Sequence, residues 1–139
     1  MKITVREAGE YFRGLLLLVS ADQRVTHQEQ LLLERAGKSL GLEQEFCRVA
    51  MREILSNPWV EITPPHFLDR TLAESFVRDG LMLANSDGSM HAVEIAWLRK
   101  VAEVNGLTRD WFDREKGESG SADAAAVRLN VEAAVLTYV

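Results

Sequence analysis

Residues 5–20, VREAGEYFRGLLLLVS, can face water on almost no side. Val5, Ala8, Phe12, Leu15, Leu16 and Val19 recur at steps of three and four, the spacing of one helical face. Leu17 and Leu18 widen that stripe until the helix is apolar nearly all round, so it belongs at the centre of a fold. The apolar run after Gly14 is far shorter than the roughly 20 residues that cross a bilayer. The neighbours that bury this helix therefore come from the rest of the chain.

The rest of the chain offers more helices. Thr26 and Glu29 form the T-x-x-E pattern of a capping box, ahead of a stripe through Leu32, Leu33, Ala36 and Leu40 that Gly41 ends. A third helix is expected over about 43–56, stopping at SNPWVEITPP, where prolines forbid continuation. A fourth is expected over about 67–85, a fifth over about 91–105 with Gly106 as its stop, and a short sixth around RDWFDRE with Thr108 as cap. The polar stretch KGESGSAD reads as a connection. A last helix is expected over about 122–138, carrying Ala126, Leu129, Val131, Ala134, Val135 and Tyr138. No stretch alternates as a strand does. The expectation is all-α: one compact bundle of about six to seven helices over residues 1–139, a length that supports one core.

Composition narrows the function. A formal charge of -5 leaves no broad basic surface, which argues against nucleic-acid binding and against anionic membranes. The single cysteine, Cys47, allows no internal disulfide and lies in an apolar helical stripe, where an inert buried thiol is expected. The charged first ten residues are unlike a signal peptide, so a cytoplasmic protein is expected. His27, His66 and His91 are scattered, without metalloprotease or di-iron spacing. No nucleophile triad, phosphate-binding glycine loop or dinucleotide fingerprint is present, and no enzyme is expected. Gly14 and Gly37 fall inside helices, where close helix–helix approach is the expected reason for them. The prolines around Trp59, Ile62 and Phe67 mark a segment that either staples onto the core or offers a partner an edge.

A shift of 65 residues lays Arg13–Leu42 over Arg78–Leu107 with eight identical pairs in thirty positions, among them Asp22/Asp87, Glu29/Glu94 and Gly41/Gly106. Two helix–turn–helix units related by a pseudo-two-fold are the expected reading. Each unit puts an Asp after one helix and a Glu in the first turn of the next. Two accounts fit. In one, Asp22 and Asp87 accept turn amides while Glu29 and Glu94 accept free N–H groups at a helix start. In the other, acids across a tight turn hold a divalent cation, because two carboxylates brought together repel unless a positive charge or several donors intervene. The spacing is not that of an EF-hand, whose loop closes further on. His91 stands where Thr26 does, so capping alone explains the second unit less well. Arg24 stands where Ser89 does, so a cation suits the first unit less well.

LLLVSADQRVTHQEQLLLERAGKSLGL and LMLANSDGSMHAVEIAWLRKVAEVNGL resemble the two signature segments of the TerB-like domain, the tellurite-resistance TerB family. The second segment carries the resemblance in Asp87, Gly88, Met90, Glu94, Leu98, Gly106 and Leu107; the first departs from it at Gln23, where the turn glycine is expected. The match spans about residues 12–113 and leaves the last helix outside. The resemblance implies an all-helical fold with internal two-fold character and a cytoplasmic accessory domain without catalysis. It also implies a link to tellurite or other chemical stress, and protein partners that include membrane-associated complexes or J-domain cochaperones. Carried over, its proposed metal ligands are Asp22, Glu29, Asp87 and Glu94.

Overall fold

The computed structural model describes residues 1–20, 25–57, 63–86, 91–118 and 128–139. Among them are seven helices: α1 (Val5–Ser20), α2 (His27–Ser39), α3 (Gln44–Ser56), α4 (Arg70–Ala84), α5 (Ala92–Val104), α6 (Arg109–Glu118) and α7 (Asn130–Ala133). The fold is an all-α bundle. α1 has the expected bounds, buries ten of its sixteen residues and packs against α2, α3, α4 and α5, so the most apolar helix is the central one. No helix among the described residues is long and apolar enough to cross a membrane.

Tyr11, Phe67, Phe76 and Trp97 pack in tilted and edge-on pairs through the core at ring separations of 5.2–6.2 Å. Phe67 lies before α4 and not within it, because Asp69 caps the helix by accepting from the Thr71 amide at 2.8 Å. Asn105 secures this segment: its side chain accepts from the Phe67 amide and donates to the Pro65 carbonyl, each at 2.9 Å. Trp59 and Ile62 lie outside the described residues, whereas Phe67 does staple onto the core.

Both second helices end alike. Gly41 and Gly106 have φ of 74°, the left-handed conformation glycine adopts without strain. The Leu42 and Leu107 amides reach back to the Gly37 and Ala102 carbonyls at 3.0 and 2.9 Å, closing a Schellman motif each time. α2 and α5 begin and end 65 residues apart, and α3 and α6 begin 65 apart. The correspondence is one of helix limits and glycine stops, and does not by itself make a two-fold axis. α7 has no counterpart.

The expected helix over 122–138 is not formed as such. Residues 119–127 lie outside the described residues, α7 has one turn, and Thr137–Tyr138 (β2) pairs in parallel with Lys2–Ile3 (β1), Lys2 opposite Thr137. The Thr137 and Val139 amides donate to the Met1 and Ile3 carbonyls at 2.8 and 3.1 Å. Tyr138 donates its hydroxyl to the Leu40 carbonyl. Leu129 and Val131 are buried, as their spacing suggested, but these pairings with distant segments outweigh the local helical pattern.

Candidate functional site

Four glutamates occupy the third position of a helix: Glu7 of α1, Glu29 of α2, Glu94 of α5 and Glu132 of α7. The free amides of a first turn attract a carboxylate to that place. Glu29 accepts from the Thr26 amide at 3.0 Å while the Thr26 hydroxyl accepts from the Glu29 amide at 3.1 Å, the expected capping box. Thr4 and Glu7 repeat it at 3.1 and 3.0 Å, and the other Glu7 oxygen accepts from the Leu68 amide at 2.9 Å. This second box was legible as T-x-x-E in the sequence and was missed. Glu132 accepts from the Leu129 amide at 2.9 Å and pairs with Arg35 of α2 through two contacts of 3.0 and 2.7 Å. Thr26→Ala is expected to lower stability by about 1 kcal/mol, measured by urea unfolding, as loss of a cap does.

Of the four proposed metal ligands, Asp22 and Asp87 lie outside the described residues. Glu29 and Glu94 are buried, and the helices they open both pack on α1. The His91 side chain makes no cap bond to α5, so the box that Thr26 and Glu29 form at α2 is not repeated at the start of α5. Among the described residues, no three His, Cys, Asp or Glu side chains converge as a metal site. Cys47 is buried, and burial pushes its thiol pKa up, away from the reactive thiolate.

The most deeply buried acid was not foreseen. Asp79, in the middle of α4, is fully enclosed. The Tyr11 hydroxyl donates to its Oδ2 at 2.5 Å, and the Asn130 and Val131 amides donate to Oδ1 and Oδ2 at 2.5 and 3.2 Å. Ser75 completes the group with a 2.9 Å bond to the Tyr11 hydroxyl. Burial pushes the Asp79 carboxyl up to about 7, against the pull of its three donors. Burial and the neighbouring Asp79 likewise raise the Tyr11 phenol. The carboxylate caps α7 from another helix, and α7 closes it off. It is a fastening, inaccessible to a substrate.

A groove of about 1080 Å³ lies open between α2 and α3. Gln30, Glu34 and Lys38, one turn apart along α2, form one wall, and Cys47, Met51 and Leu55 of α3 lie across from them. The helices approach closely near Gly37, where a Cβ would lie 2.6 Å from the Cys47 sulfur and 3.1 Å from the Phe12 ring. No family model matches the chain, and no curated protein or solved structure matches it significantly.

Proposed function

We propose that this chain is a TerB-like accessory domain that acts by binding another protein, with its repeated acids serving as helix punctuation. The observation that supports this reading is the α2–α3 groove, about 1080 Å³ and lined by apolar and charged side chains of both helices. The glutamates at helix starts argue the same way: Glu7, Glu29 and Glu132 already accept the amide of the residue that precedes each helix. The TerB resemblance adds the setting, a cytoplasmic accessory role in tellurite or other chemical stress. Its partners there would be a membrane-associated complex or a cochaperone.

A second reading keeps the divalent cation at Asp22, Glu29, Asp87 and Glu94. It is favoured by Glu94, buried to 1% at a helix start whose cap residue forms no box. Thermal unfolding of chelator-treated protein with and without Mg²⁺, Ca²⁺, Mn²⁺ or Zn²⁺ separates the two. An ion at a hundred times its Kd adds about 2.7 kcal/mol, several degrees in a domain of this size. The expected result is no such shift, with Asp87→Asn/Glu94→Gln less stable by the same amount whether or not an ion is present. A shift in wild type that this variant loses would replace the protein-binding reading with the cation.

A further inference from the structure

The groove has a polarity that the chain as a whole lacks. Leu42, Cys47, Met51 and Leu55 give it an apolar side, and Lys38, Arg48 and Arg52 stand along it with one acid, Glu34. The formal charge of the whole chain is -5, so this is a basic site on an acidic protein. Arg48 pairs with Glu45 on its own helix, at an exposed position where such a pair contributes little. Among the described residues, Lys38 and Arg52 have no carboxylate within ion-pair distance.

Shape and charge together select the occupant. The residues of α3 that line the groove run from Gln44 to Ser56, the whole of the helix, a length of roughly 20 Å at 1.5 Å per residue. Met51 and Leu55 continue the line from Cys47 at steps of four, the spacing that receives apolar anchors from a helix laid alongside. The cations come from both walls, and those of α3 sit a turn apart. A single headgroup, as on a fatty acid, would engage one of them and leave the others bare. A row of carboxylates on the flank of a helix would meet them all.

We propose that the α2–α3 groove docks an acidic amphipathic helix of about four turns from a partner protein, with its apolar face toward Met51 and Leu55 and its acids toward Lys38, Arg48 and Arg52. This rests on the protein-binding reading above and names the chemistry of the partner. Complementary charge fixes orientation and suppresses wrong partners, so selectivity falls with added salt.

The test uses the full chain and two synthetic capped helices of about 15 residues. Both carry leucine on one face; one has glutamate on its flanks and the other lysine. Binding is followed by the methyl resonances of Met51, Leu42 and Leu55. The glutamate helix is expected to shift these resonances and to bind at least about tenfold tighter than the lysine helix in low salt, with the advantage shrinking in high salt. Lys38→Glu/Arg52→Glu, a change at two exposed positions, is expected to reverse the preference. Equal binding of both helices in the groove would overturn the acidic partner and leave the protein-binding reading standing. Shifts caused by dodecanoate and by neither helix would overturn the helical occupant in favour of an acyl chain. If none of the three probes moves the groove resonances, the inference fails. An ion-dependent rise in thermal stability is a separate result, and it alone would return the function to the cation.

Discussion

Asp79→Ala is expected to release the segment 128–139 and to lower stability by on the order of 3 kcal/mol or more. The substitution strands the Tyr11 hydroxyl and the Asn130 and Val131 amides, which all donate to this carboxylate. It also opens a void beneath α7, whose own Val131 is buried. Urea unfolding measures the loss, and amide exchange locates it: protection should collapse first at residues 129–139. Tyr11→Phe removes one donor and keeps the ring, so a smaller loss, about 1 kcal/mol, is expected from it. A stable Asp79→Ala protein with 129–139 still protected would show that Arg35–Glu132 and the β1–β2 pair hold the segment unaided.

The same residue makes stability depend on pH in a direction opposite to that of most carboxylates. An unfolded aspartate releases its proton near 3.8, whereas burial holds the Asp79 proton to about 7. Between those values the folded state binds the extra proton, so the contribution of this group to stability falls as pH rises. Each unit of difference corresponds to about 1.4 kcal/mol. Asparagine does not titrate. The lead of wild type over Asp79→Asn is therefore expected to be largest near pH 4 and to shrink towards neutrality, read from urea midpoints at several pH values. A lead that grows with pH would mean the three donors outweigh burial and keep the carboxylate ionised.

Asp79 also marks the limit of what the sequence disclosed. An aspartate inside an apolar-periodic helix carries no local sign of its partners. Tyr11 lies 68 residues away and Asn130 lies 51 away. The segment 128–139 failed for the same reason: its apolar spacing is helical, but β1, Leu40, Arg35 and Asp79 decide its path. Local chemistry was legible. The all-round apolar pattern placed α1, and Thr26 with Glu29 gave the start of α2. Gly41 and Gly106 gave two stops, because one residue type suits a left-handed turn. Of the acids nominated for a cation, Glu29 turned out to be committed to Thr26, a bond that the capping-box spacing had already announced. The groove was not legible. Lys38, Arg48 and Arg52 read one helix at a time as solvated faces, and become a site only when α2 and α3 lie side by side.

The glycines of α1 offer a test of packing with opposite signs in one helix. A Cβ at Gly14 would lie 2.8 Å from two atoms of the Phe76 ring and 3.2 Å from the Pro65 ring. Neither neighbour yields easily: Phe76 is fully buried between Tyr11, Phe67 and Trp97, and the Pro65 carbonyl is bonded by Asn105. At Gly9 the same atom would sit 3.9 Å from the Phe46 ring, an ordinary contact. Alanine at Gly9 is therefore expected to raise stability by about 0.5–1 kcal/mol, the helical preference of alanine over glycine. Valine at Gly14 is expected to lower it by about 3 kcal/mol, because overpacking forces the ring off its rotamer or pushes α1 from α4. Phe76→Leu in the same chain removes the ring edge and should recover part of that loss, so the two substitutions are coupled and do not add. Urea unfolding of the four proteins decides it. If Gly14→Val costs no more beside phenylalanine than beside leucine, α1 and α4 are not held together by this contact, and the reason for a glycine at the centre of the most apolar helix lies elsewhere.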